Sequence, residues 1–323
     1  MLRWLVVGIG DIATKRVIPA IQEERRSSLA ALVTRQPEKA SPYNVEPFAD
    51  LEEALQQGNF EAVYIATPVF LHATQTIQAL RAGKHVLCEK PMGMNFSEAR
   101  NMTETAEQCG RHLGIAYYRR LYPKVRRALE LIRQGKIGQP LMAFATCHSD
   151  MPDSNRSWLL DPKCAGGGPL YDIASHRIDL LNHFFGEPQD VRACLSNTVH
   201  SIAVEDSATV LIKYANGVHA IVDVRWNSRI SRDEFRIVGA QGEIDLSPLN
   251  GPALVWPGGC EQLPSHQNLH FPCVENFVDA VLDGEVLLSS GASAHLTDGI
   301  TEKAITSARI IPENHANLFT SNR

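Results

Sequence analysis

The sequence predicts an α/β protein: an N-terminal Rossmann-type, doubly wound parallel sheet followed by a C-terminal α+β unit with a mostly antiparallel sheet. Three observations carry that expectation. An apolar run, Leu2–Val7, meets a glycine turn and then a helical pattern, the order of a dinucleotide-binding unit. Short apolar strands go on alternating with helical stretches over about 118 residues, as parallel sheets require. Beyond that point extended runs take over, with an Ala215-Asn216-Gly217 hairpin signal between two of them.

Taken in order, the first strand is Leu2–Val7 and the first helix runs from Ile12 to about Glu24. A second strand covers Leu29–Thr34. Phe48-Ala49-Asp50 leads into a short helix at Leu51–Gln57. Ala62–Ala66 is a strand, and a helix from about His72 to Ala82 follows, closed by Gly83 as a C-cap glycine. His85–Cys88 is the next strand. Ser97–Cys109 is a helix with Ser97 as its N-cap, and Leu113–Tyr117 a further strand. These five strands with their intervening helices approach the six that a doubly wound sheet needs. After the change in texture near residues 118–122, Pro123–Arg133 reads as a helix, broken by Gly135, Gly138 and Pro140. Extended runs follow at Leu141–Cys147, Val191–Leu195, Ala208–Tyr214, Val218–Trp226 and Phe235–Val238. Helices return at Asp179–Phe185, Val274–Leu282 and Ser293–Arg309. The expected division is a nucleotide-binding domain at 1–120 and a substrate-binding and oligomerisation domain at 121–323.

The chain has 323 residues, enough for two cores. It is 44% hydrophobic and 21% charged, an ordinary soluble composition. Its net charge of −5 gives no reason to expect nucleic acid or a membrane surface as partner. Seven cysteines without a Cys-x-x-Cys pair read as reduced thiols. Cys147-His148 with Asp150 lacks a full ligand set, so no metal is expected. Leu2–Val7 runs straight into the glycine turn and is a strand rather than an export signal. No stretch has the length of a membrane span, and the expected location is cytoplasmic.

In Gly8-Ile9-Gly10-Asp11-Ile12-Ala13, the first glycine permits a tight turn and the second lets the backbone approach a pyrophosphate. The small Ala13 lets helix pack on strand. The phosphate would rest on the helix N-terminus. The second strand ends in Thr34 and Arg35, with no acid before Glu38. That pattern suits a 2′-phosphate, so NADP(H) is the expected cofactor and NAD(H) the alternative.

With these motifs in place, the chain resembles the glucose–fructose oxidoreductase, inositol dehydrogenase and rhizopine-catabolism (Gfo/Idh/MocA) oxidoreductases. The match rests on the glycine turn, Ala66-Thr67-Pro68 with His72, and Ala82–Pro91 ending Cys88-Glu89-Lys90-Pro91. It continues through Gly135–Gly138, Trp158, Gly166-Gly167-Gly168, Asp172–Asp179 and Glu205-Asp206. The resemblance implies hydride transfer between NAD(P) and a sugar, polyol or related compound, and an open, mostly antiparallel C-terminal sheet that often joins subunits. It assigns Lys90, Asp172 and His176 to catalysis, and Thr67, Pro68, His72, Glu89 and Lys90 to the cofactor side. Ala174 stands where the family often has glycine. The Thr67-Pro68-Val69-Phe70 loop lacks the family's asparagine two residues after the threonine, and with it a cofactor contact.

Each residue has its own chemical reading. Lys90 lies just past a strand end, where open α/β sheets bind ligands; its ammonium would stabilise alkoxide character. His176, with an ordinary pKa near neutrality, is the expected general base. Asp172, one turn before it, is expected to orient the imidazole or bind a hydroxyl. The triple glycine would allow close backbone approach near the substrate. Tyr118, Arg119 and Arg120 follow the last parallel strand as cleft-lining candidates, and Trp158 is a candidate wall near the nicotinamide. Arg126, Arg127 and Arg133 read as a solvated helix face. Apolar residues on both faces of the 208–226 strands, among them Ile212, Tyr214, Ile221 and Trp226, predict a homodimer or homotetramer. A non-catalytic dinucleotide-binding regulator is the rival from another class; retention of Lys90, Asp172 and His176 argues against it. A reductase of biliverdin or of a cyclic diene-diol is the third reading.

Overall fold

The computed structural model describes residues 1–152 and 154–308. Six strands form the first sheet: β1 (Leu2–Val7), β2 (Ser27–Val33), β3 (Glu46–Phe48), β4 (Ala62–Ile65), β5 (His85–Cys88) and β6 (Leu113–Ile115). All pair in parallel, in the order β3-β2-β1-β4-β5-β6. The order reverses between β1 and β4, which opens a crevice at the carboxyl ends of the strands. Every residue of β4 is buried, as expected of a strand covered on both faces.

The helices between these strands are α1 (Ile18–Glu23), α2 (Leu51–Gln57), α3 (His72–Arg81) and α4 (Phe96–Cys109). A π-turn, Ala13–Val17, precedes α1. Pro19 supplies the cause, because it has no N–H to donate one turn back and the ladder widens before it. The N-cap of α4 is Asn95, not Ser97. Its side chain accepts from the Glu98 backbone N–H at 2.9 Å, while Glu98 accepts from the Met94 N–H at 2.9 Å. This reciprocal box starts the helix two residues before the expected cap and is worth about 1 kcal/mol.

The second sheet has eight strands: β7 (Pro140–His148), β8 (Pro188–Ser196), β9 (Ser207–Tyr214), β10 (His219–Arg225), β11 (Arg232–Gly239), β12 (Gly242–Asp245), β13 (Ala253–Trp256) and β14 (Gly259–Gln262). Their order is β14-β13-β12-β11-β7-β10-β9-β8. Only β7 and β10 pair in parallel. β9 and β10 form the expected hairpin, with Gly217 at φ 89°. The inner face presents Val210, Ile212, Tyr214, Val222, Val224, Phe235 and Ile237 to one core. On the outer face, register places Arg192, Leu211, Ile221, Phe144 and Arg236 in one row across five strands. That row is apolar in the middle and cationic at its ends, and Leu211 is exposed. Ile212, Tyr214 and Trp226, expected to contribute to a two-sided apolar surface, are all buried in cores.

The remaining helices are α5 (Pro123–Arg133), α6 (Pro162–Ala165), α7 (Ser175–Phe185), α8 (Phe271–Asp283) and α9 (Gly291–Ala308). α8 returns to the first sheet: Cys273, Val274, Phe277 and Val278 enter its core, and Phe277 meets Trp4 at 5.2 Å between ring centroids. The expected last helix extended to Arg309, which lies outside the described residues. No helix among the described residues is long and apolar enough to cross a membrane.

Candidate active site

At the crevice floor, Gly8 adopts φ 91°, and a Cβ there would press on the Ala66 carbonyl and the Thr67 methyl. Gly10 has open space where a Cβ would stand. The turn therefore fits a pyrophosphate drawn close to the backbone at a helix start. Asp11 pairs with Lys15 at 2.8 Å on its exposed rim. Ile12 follows the turn and Ala13 is buried behind it. Thr34 Oγ accepts from the Gln36 backbone N–H at 3.1 Å, which shapes the loop after β2 and leaves Arg35 exposed beside it.

Two loops at the ends of β4 and β5 are tied together by His72. Its ring is 1% exposed, with Nδ1 2.9 Å from the Pro91 carbonyl and Nε2 2.8 Å from the Thr67 carbonyl. Both nitrogens face protein, so His72 is a strut between the Thr67-Pro68 and Lys90-Pro91 segments. The cofactor contact expected of it is corrected accordingly. Glu89 is likewise internal. Its carboxylate accepts from Tyr64 OH at 2.8 Å and lies 3.1 Å from His270 Nε2. Burial pushes its pKa up, but His270 and Tyr64 outweigh burial and hold it below the usual range. Glu89 thus anchors the segment from beneath while Lys90 points the other way.

Lys90 reaches across to the turn that leads into α7. Nζ donates to Asp172 Oδ1 at 2.9 Å and to the Asp172 carbonyl at 3.0 Å, with both side chains largely shielded. Asp172 lies in a π-turn, Leu170–Ala174, that runs into α7. No hydrogen bond joins Asp172 to His176 among the described residues, which corrects the expected orienting role. The triple glycine is corrected too. A Cβ at Gly166 or Gly167 would collide with the Tyr171 ring, and one at Gly168 with the Glu205 carbonyl. Glu205 accepts from the Leu170 N–H at 2.9 Å. The glycines let this turn pack closely enough to aim Asp172.

His176 is 6% exposed, at the start of α7. Its ring meets Tyr117 and Tyr118 edge-on, at 5.8 and 5.1 Å. Among the described residues, Nδ1 is buried without a partner. Its pKa is held well below the ordinary value, first by burial and then by Arg119, Lys90, Arg177 and His270. The near-neutral value expected from the residue type is corrected by this cationic surround. Tyr118 stands between two imidazoles, with His270 on its other side at 4.7 Å. Arg119 is buried against Tyr118 and donates from Nη2 to Asn250 Oδ1 at 3.1 Å.

Arg120 does not line the cleft. It forms a two-pronged buried pair with Asp179, at 2.9 and 2.5 Å, and donates to the Leu288 carbonyl and Ser293 Oγ. Trp158 is 37% exposed on the turn Ser154–Leu160. Arg126 and Arg133 are exposed as expected, whereas Arg127 pairs with Glu261. Sequence reading missed His270, which no local motif marks and which meets Glu89 across 181 positions.

Residues 2–117 match the model of an oxidoreductase family with an NAD-binding Rossmann fold, and residues 125–245 match the GFO/IDH/MocA C-terminal domain. The chain is 30% identical to mouse trans-1,2-dihydrobenzene-1,2-diol dehydrogenase over 270 residues, 81% of this chain and 80% of that protein. It is 29% identical to the 1,5-anhydro-D-fructose reductase of Ensifer adhaerens over 251 residues, 76% of this chain and 75% of the relative. The aldose–aldose oxidoreductase of Caulobacter crescentus superposes with a TM-score of 0.86 at 26% identity, covering 95% of this chain and 97% of that one. A Rossmann sheet of matching order, a lysine at the end of β5 meeting an aspartate before α7, and these relatives together make the chain a nicotinamide-dependent oxidoreductase of the Gfo/Idh/MocA family.

Proposed function

We propose that the protein transfers hydride between NADP(H) and a hydroxyl- or carbonyl-bearing carbon of a sugar, polyol or diol. One observation carries the reading: Lys90, Asp172 and His176 converge where the crevice of the first sheet meets the second domain. The relatives' names, which include a diol dehydrogenase and an anhydrosugar reductase, support the substrate class. Gly8–Ala13, the Thr34-Arg35 loop and Thr67-Pro68 would hold the dinucleotide, whose nicotinamide would supply the hydride acceptor or donor. Lys90 lends positive charge to the substrate oxygen, and Asp172 holds the ammonium in place. His176 is kept neutral by burial and by its cationic neighbours, so it is ready to take the alcohol proton as the hydride leaves. Its buried Nδ1 leaves Nε2 as the nitrogen for that exchange.

The preference for NADP(H) rests on Thr34 and exposed Arg35 in place of an acid at the end of β2. The outer row of the second sheet supports a homodimer or homotetramer joined through that face. We divide the working units near residue 120, with α8 lent back to the nucleotide-binding sheet, and place the protein in the cytoplasm. The test is a panel of sugars, polyols and diols assayed by nicotinamide absorbance with both cofactors. Turnover of one class that vanishes in Lys90→Ala supports the reading. Tight NADPH binding with no turnover across the panel would favour a regulator built on the same fold.

A further inference from the structure

We propose that the substrate carries an oxyanionic group and that Arg119 is its anchor; this deepens the oxidoreductase reading above and rests on it. Arg119 sits on the turn Tyr118–Leu121, just after β6, and is 8% exposed. Nη2 is taken by Asn250, but Nε and Nη1 are buried with no acceptor. Native proteins seldom leave buried donors unsatisfied, and a charged group raises the cost. The neighbouring cations are differently placed. Lys90 has the Asp172 carboxylate at 2.9 Å, and Arg177 has that of Asp233 at 2.7 Å. Arg119 has no carboxylate partner among the described residues. Its one acceptor among the described residues is a neutral amide.

The fork is also held in place. Asn250 donates its backbone N–H to Asp233 at 3.1 Å, and Lys124 fastens the same loop through the Leu246 and Pro248 carbonyls, both at 2.7 Å. The Arg119 guanidinium lies 5.0 Å from the Tyr118 ring centre, and that ring lies 5.1 Å from His176. The unsatisfied charge therefore stands about one aromatic ring away from the proposed base. Its effect is felt there: after burial, Arg119 is the leading influence holding His176 neutral. An acceptor bound at Arg119 satisfies the two nitrogens and returns a negative charge to a cation-rich chamber. In this arrangement both nitrogens are covered. The half-buried Tyr118 ring lies against the guanidinium, so binding at the fork requires a local shift of the side chains packed over it. The geometry fits a hydroxy acid or sugar acid whose acidic group lies several bonds from the reacting carbon. Carboxylate and phosphate share this chemistry.

The experiment measures binding to the NADPH-loaded full-length protein by quenching of nicotinamide fluorescence. The probes are D-gluconate and D-glucuronate, their uncharged counterpart D-glucose, and D-glucose 6-phosphate. We expect at least one charged probe to bind about tenfold or more tightly than its uncharged counterpart. Preference for the acids identifies a carboxylate, and preference for the sugar phosphate a phosphate. Arg119→Gln should erase the preference and Arg119→Lys restore part of it, at melting temperatures close to wild type. Equal binding of charged and uncharged probes by the wild-type protein would overturn the proposal, with no variant needed. A preference that survives Arg119→Gln would overturn it as well. Hydride transfer is read separately from absorbance: charged probes that bind through Arg119 but never change the nicotinamide would sink the redox reading and leave this one standing.

Discussion

Lys90→Ala isolates the electrostatic part of the proposed chemistry. The ammonium lies 2.9 Å from Asp172, with side-chain exposures of 15% and 17%. At that separation the gross attraction is about 6 kcal/mol for an effective dielectric of about 20, before desolvation is charged against it. The catalytic share is smaller, because only the part that grows as the substrate oxygen gains negative character lowers the barrier. Loss of one such stabiliser typically costs about 3–4 kcal/mol, or about a hundred- to a thousandfold in kcat. The variant should still bind NADPH, because Lys90 is tied to Asp172 and not to the turn at Gly8–Ala13. Asp172→Ala should cost less alone, and the double variant should fall well short of the two losses added together, because the residues act as a unit. Steady-state kinetics on the identified substrate, with cofactor titration by fluorescence, gives all four corners of the cycle. Turnover of Lys90→Ala within a few-fold of wild type would refute the assignment. Strict additivity in the cycle would show that the observed ion pair has no part in catalysis.

Further expectations concern cofactor, pH, stability and assembly. Arg35→Ala should weaken NADPH more than NADH, since an arginine–phosphate pair is charge-assisted; equal affinities in the unmodified protein would remove the basis for NADP preference. His176 is depressed below 6.5. Oxidation of the alcohol should therefore stay flat from neutral pH downward and fall only as pH drops through the lowered value, where the base becomes protonated; a kcat/KM inflection at 6.5 or above that is lost in His176→Ala would contradict this. Asp179→Ala strands Arg120 in a site where both are at most 2% exposed, and should cost about 3–5 kcal/mol by urea unfolding, whereas Arg120→Met with Asp179→Leu together should recover most of it; equal destabilisation by single and double changes would show that packing, not charge, governs the site. Light scattering should find a dimer or tetramer at micromolar concentration, broken by Leu211→Lys or Ile221→Glu; a lone 35.7 kDa species in the wild type would end the assembly proposal.

Much of the candidate site is legible from local patterns, because its backbone frame is built locally. The glycine turn stands where a strand must give way to a helix, and Gly8 does adopt the left-handed conformation that only glycine takes without strain. Lys90 stands at a strand end with proline behind it, and β5 ends at Cys88 as its pattern requires. Short, poorly patterned strands were less legible. β3, β12, β13 and β14 span only three or four residues each, too few to establish an alternation against the turns around them. The start of α4 was misplaced because Ser97 and Asn95 are both good caps. Only the reciprocal bonds with Glu98 select between them.

By itself, the sequence determined the order of the longer secondary-structure elements, the dinucleotide turn and the identities of the reactive side chains. These follow from periodicity, glycine and proline geometry, and residue chemistry, all of which act over a few positions. The tertiary structure decided what those side chains do. It pairs Lys90 with Asp172 across 82 positions and seats Glu89 on His270 across 181. It sinks Arg120 and Asp179 into a buried pair and leaves Arg119 with unsatisfied nitrogens. It also buries His176 and surrounds it with cations, so that a side chain with an ordinary value near neutrality is held well below it. The physical reason is that charge state depends on burial and on neighbours brought in from elsewhere in the chain. A π-turn, Leu170–Ala174, carries Asp172, and helical spacing read from sequence does not contain its meeting with Lys90, because that contact joins segments 82 positions apart.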